Sequence, residues 1–112
     1  MPEITITPAS GTVVVRAGGA IIAESPNALM VEEDGHDPVF YIPRDDIGMT
    51  FLEPSETRTT CPHKGEAAHF DLVAKSGPIR DAAWSYEAPH DNVAQIKGMV
   101  AFYTSKAAVE LL

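Results

Sequence analysis

Cys61 is the one cysteine in the sequence, so no intrachain disulfide can form and nothing demands an oxidising compartment. Long apolar runs are also missing. A segment such as Ala20–Ala23 falls far short of the ~20 residues that a membrane-spanning helix needs. Met1–Ile6 has neither a basic region nor a continuous apolar run, so it does not read as a signal peptide. The expectation is a cytoplasmic protein with no membrane partner. Basic residues are scarce, with 8 Lys and Arg against 16 Asp and Glu and a net charge of -8. Such a surface repels the phosphates that supply most nonspecific nucleic-acid affinity, so nucleic acid is not an expected partner. The carboxylates come in scattered pairs such as Glu32-Glu33 and Asp45-Asp46, the pattern of a solvated surface.

Several chemical signatures are absent as well. There is no Gly-x-x-x-x-Gly-Lys-Ser/Thr phosphate loop. The Gly-Ser and paired-Asp arrangement of polymerase-type nucleotidyl transfer is missing too. Cys61 with His63, His69 and His90 does not follow the spacings of structural or catalytic zinc, so no metal and no cofactor is expected.

What is present points to a small β protein. A chain of 112 residues is one domain, 1–112, and buries roughly two thirds of its unfolded surface without staples. Hydrophobic residues at 45% and charged residues at 21% argue against disorder. Glu3–Thr7 alternates apolar and polar positions, and Thr12–Arg16 is a β-branched run. Gly18-Gly19 turns that run into Ala20–Ala23. Further strands are predicted at 28–32, 39–42, 49–52, 67–73, 79–86 and 97–103, with the extended chain from Met49 running up to Pro54-Ser55. Turns fall at Ser25–Asn27, Asp34–Pro38, Arg44–Gly48 and Lys75–Pro78, with a loop at Thr59–Gly65 centred on Pro62. Asp91 is placed to cap a short helical turn, and Ser105–Leu112 reads as a terminal helix or a frayed end. Close, even strand spacing with Gly and Pro punctuation predicts a single, mostly antiparallel all-β domain, barrel-like, with little helix.

The chemistry-bearing residues fall into four blocks. They are Tyr41-Ile42-Pro43-Arg44-Asp45-Asp46, Cys61-Pro62-His63-Lys64-Gly65, Trp84-Ser85-Tyr86 and Ala101-Phe102-Tyr103. In order and content, and with Ile22-Ala23-Glu24-Ser25 ahead of them, they resemble the domain-of-unknown-function family 427 (DUF427). That family is catalogued as nucleotidyltransferase-like. The resemblance covers nearly the whole chain and implies a small all-β fold, related to the β-tent group, with no settled activity. Zinc-binding members of that group use paired Cys-x-x-Cys motifs, which this chain lacks. The sequence departs from the family pattern at Glu66-Ala67-Ala68-His69-Phe70, where Thr-Ala-Ser-Tyr-Trp is expected.

Each block carries more than one reading. Cys61 is a small buried hydrophobe or pocket liner, or else a thiolate whose pKa is lowered by Lys64 or His63. Arg44 presents a fork suited to an anion, or makes an internal ion pair. Lys64 meets an anionic group where Gly65 lets the backbone approach closely. Trp84 and Tyr86 share a strand face and form a core or, if Phe102 faces the same way, an aromatic pocket wall. Three functions follow. The leading one is a domain binding a small anionic or planar ligand in a pocket lined by Arg44, Asp46, Cys61, Lys64, Trp84, Tyr86 and Tyr103. A second is an enzyme with Cys61 as nucleophile or redox thiol and Tyr103 or Asp46 moving protons. A third is a structural module, a homodimer through an edge strand such as Ala28–Glu32.

Overall fold

The computed structural model describes residues 3–112. Ten strands form three antiparallel sheets. The first sheet orders β1 (Ile4–Pro8), β4 (Leu29–Glu33) and β5 (Val39–Tyr41). In the second, β10 (Ala108–Leu111) and β3 (Ala20–Ser25) flank β2 (Val13–Ala17). The third runs β6 (Leu52–Cys61), β7 (Gly65–Ala74), β8 (Gly77–Ser85) and β9 (Val100–Phe102). The all-β, antiparallel expectation holds, but no sheet closes on itself, so the domain is not a barrel.

Local chemistry explains most of this. Gly18 and Gly19 adopt φ of 57° and 80°, which an ordinary side chain resists, and they turn β2 into β3. Pro54 lies inside β6 rather than ending a strand. This is tolerated because β6 is a sheet edge and its pairing with β7 shifts register between Pro54 and Arg58. The loop expected over 59–65 is shorter: β6 continues through Cys61, and Gly65 (φ 120°) opens β7. Only Pro62, His63 and Lys64 turn the corner, where Pro62 removes no ladder donor.

Other expectations change. Met49–Phe51 is a single 3₁₀ turn rather than extended chain. Asp91 caps nothing through its side chain; it is the first residue of the 3₁₀ segment Asp91–Ile96, with His90 before it. The strand expected at 97–103 shrinks to β9. The carboxy-terminal segment is neither helix nor fray: β10 pairs with β2, and Arg16 meets Glu110 at 3.1 Å across the ladder. So short a helix is marginal in water, whereas a ladder satisfies its backbone at once. Strand β4, expected as a dimerising edge, sits between β1 and β5 with both sides paired, so it offers no free edge.

Strand alternation divides the interior in two. Phe70, Leu72, Val100 and Phe102 join Val13, Val15 and Ile22 in one core, while Ala67, Tyr86 and Ala101 join Val31, Tyr41, Val93 and Ile96 in another. The four-stranded sheet is the wall between them. No helix of the described residues is long and apolar enough to cross a membrane.

Leu72 is fully buried in the larger core. Truncation to Leu72→Ala is expected to lower the unfolding free energy by roughly 2–5 kcal/mol, read from the midpoint of urea denaturation.

Candidate functional site

The face of the four-stranded sheet turned toward the smaller core carries a cavity of about 480 Å³. Cys61 comes to it from the end of β6, Lys64 from the β6–β7 turn, Trp84 from β8, Tyr86 from just past β8, and Tyr103 from just past β9. Tyr41 and Glu33 reach it from the ends of β5 and β4, across the junction with the first sheet.

The aromatic side chains form one continuous wall. Trp84 and Tyr103 have centroids 4.4 Å apart, and Tyr41 stands edge-on to Trp84 at 6.2 Å and tilted to Tyr86 at 6.4 Å. The condition on Phe102 is not met: Trp84 registers with Ala101, so Phe102 lies on the opposite face and points into the larger core. Tyr103 takes its place. The Trp84 indole N–H donates to the Tyr41 hydroxyl at 3.2 Å. Burial pushes the Tyr41 phenol up to about 12 despite that bond. Burial raises the Tyr86 phenol too. Tyr103 is raised by burial, with the Asp81 carboxylate adding to it. All three are neutral phenols at pH 7.

The polar end of the cavity is an ion pair. Lys64 Nζ donates to Glu33 Oε1 at 2.5 Å, with the two side chains only 10% and 14% exposed. The same ammonium lies 3.8 Å from Cys61 Sγ. The hydrogen bond from Lys64 holds the Glu33 carboxyl below the usual range, against the upward push of burial. The turn itself is anchored, since Lys64 N–H donates to Cys61 O (3.2 Å) and His90 N–H to Lys64 O (2.9 Å).

Cys61, Lys64, Trp84, Tyr86 and Tyr103 thus meet, and Arg44 and Asp46 do not join them. Arg44 is a staple elsewhere: its Nε donates to Gly98 O (2.6 Å), and one terminal nitrogen reaches Ser85 Oγ (3.3 Å) and Glu87 (3.0 Å). Asp46 accepts from the buried Ser25 hydroxyl at 2.6 Å, fixing the 3₁₀ turn Arg44–Asp46 against β3. Sequence reasoning missed Tyr41 and Glu33 as site residues. Tyr41 opens the first motif block and carried a signal; Glu33 meets a lysine 31 positions away and carried none. His69, at the departure from the family pattern, is buried behind the wall with its Nε2 3.1 Å from the Tyr103 hydroxyl. Among the described residues, no group of three or more His, Cys, Asp or Glu is placed to hold a metal.

The sequence model of the family described as Domain of unknown function (DUF427) matches residues 5–111, so the chain belongs to that family. No curated protein matches it.

Three outcomes follow from the charged groups. The depressed Glu33 carboxyl contributes stability that is complete above its unfolded pKa and lost as pH falls through the lower folded value. Urea midpoints of the native protein should therefore fall on acidification below about pH 5. Glu33→Gln, which leaves the Lys64 ammonium unpaired, should cost on the order of 3 kcal/mol at neutral pH and flatten that acid limb. Arg44→Met should cost roughly 1–3 kcal/mol in the same assay while leaving Trp84 emission unchanged, because its partners lie outside the cavity.

Proposed function

We propose that this DUF427 member binds a small planar ligand in the cavity walled by Tyr41, Trp84, Tyr86 and Tyr103. The aromatic wall around a space of about 480 Å³ carries this reading, since ligand pockets of ~300–1,000 Å³ are lined chiefly by such side chains. A wall built of aromatic faces and edges favours a flat ring, which can pack against either. An anionic ligand is the weaker half of the expectation. The Lys64 charge is answered by Glu33, and the Arg44 guanidinium is engaged outside the cavity. The Lys64–Glu33 pair supplies a polar end that orients the ring.

Trp84 is the sole tryptophan, so its emission reports the site directly. Titration with indole, adenine and benzamide is expected to give saturable quenching by at least one of them in the folded protein and by none in urea. Tyr103→Ala should weaken that binding about tenfold, the value of an aromatic contact worth ~1–1.5 kcal/mol. Quenching that never saturates, or that Tyr103→Ala leaves unchanged, sinks the reading.

One observation favours a second reading, an enzyme built on Cys61. The Lys64 ammonium, 3.8 Å from the sulfur, is placed to stabilise negative charge there. On this reading Lys64→Met slows iodoacetamide alkylation of Cys61 at neutral pH by at least about tenfold, while alkylation in urea is unaltered. Equal rates in the two folded proteins retire the nucleophile.

A further inference from the structure

Strands β5 and β9 meet and then part. They are joined by a bridge in which Ile42 N–H donates to Val100 O (2.8 Å) and Val100 N–H donates back to Ile42 O (2.9 Å). Along an antiparallel edge, alternate residues turn their main-chain groups to the same side. The next residues facing across this junction are therefore Phe40 and Phe102. The hydrogen bond from Tyr103 N–H to Ala82 O agrees, because it turns Tyr103 toward β8 and leaves Phe102 facing away from it. Yet the bridge is isolated: among the described residues Phe40 and Phe102 form no pair, and the ladder stops. In the opening lies a cleft of about 250 Å³ lined by Val39, Phe40, Phe102 and Val109. It shares Trp84 and Tyr103 with the aromatic cavity.

Main-chain donors and acceptors beside an apolar cleft cost free energy unless something satisfies them. A planar amide offers the missing complement, a C=O and an N–H trans to it that point to opposite sides of one flat frame. We infer, resting on the planar-ligand reading above, that the ligand class is an aryl amide. Its ring lies against Trp84 and Tyr103. Its N–H is accepted by a main-chain carbonyl on one strand, and its carbonyl accepts from the N–H on the other, at Phe40 and Phe102. The ligand so completes the broken ladder.

Benzamide, N,N-dimethylbenzamide and methyl benzoate share the ring and carbonyl, and only benzamide keeps the N–H. Titrated against the full chain and read by Trp84 emission, benzamide should bind at least about tenfold more tightly than the other two, the value of a hydrogen bond left unmade. In ¹⁵N–¹H spectra, benzamide should shift the Phe40 or Phe102 amide and slow its hydrogen exchange. Equal affinities for all three compounds, with both amides unmoved, overturn the amide assignment and leave the planar-ligand reading standing. No saturable quenching by any of them at millimolar concentration, with indole and adenine equally silent, overturns both.

Discussion

The ion pair between Lys64 and Glu33 is the contact on which the site depends. It joins the turn of the β6–β7 hairpin to the end of β4, and so holds the four-stranded sheet against the sheet of β1, β4 and β5. The cavity is the space between those two sheets. Two charges this poorly hydrated are a modest source of net stability, because desolvation offsets much of their attraction. What they impose is geometry, since either charge alone in that place would be strongly unfavourable. The arrangement brings the ammonium beside Cys61 and leaves the aromatic rings as the remaining wall.

Aromatic packing and hydrogen bonding work together on that wall. Tyr41 is nearly fully buried, and its hydroxyl accepts from Trp84, so one ring is locked edge-on to the next. Tyr103 is held from behind by His69 and from the front by Trp84. With the polar atoms of Tyr41, Trp84 and Tyr103 engaged in hydrogen bonds, these rings are held in place before any ligand arrives, which is the preorganisation that ligand binding rewards. Arg44 and Asp46 contribute at a distance. They fasten the short turn after Ile42 to Gly98 and to Ser25, and that turn sets where β5 ends and where it parts from β9.

Much of the fold was legible in local patterns. The Gly18-Gly19 hairpin, the β-branched run at Val13–Val15 and the alternation at Glu3–Thr7 all correspond to strands, because each signal is short-range. Pro54 misled because the penalty for proline in a strand depends on whether that strand is a sheet edge, a property of the assembled sheet. The carboxy-terminal segment misled in the same way, since its eight residues carry a weak preference that pairing with β2 overrides. The face of Phe102 stayed open in the sequence because one residue of register decides the side, and register between β8 and β9 is set across a long connection.

Taken alone, the sequence determined the class of the protein. An acidic chain with a single cysteine and period-two apolar runs between Gly and Pro turns yields an antiparallel β domain, and the match of its sequence over residues 5–111 places it in the DUF427 family. It also named Cys61, Trp84, Tyr86 and Tyr103 of the cavity, though not Tyr41, because these stand in compact blocks. Tertiary structure alone decided which of the charged residues meet them. Arg44, Asp46 and Lys64 look equally available in the sequence. Their partners, Gly98, Ser25 and Glu33, lie 54, 21 and 31 positions away. Electrostatic and hydrogen-bond pairing over such separations is set by how the sheets pack, so nothing local in the chain could assign it.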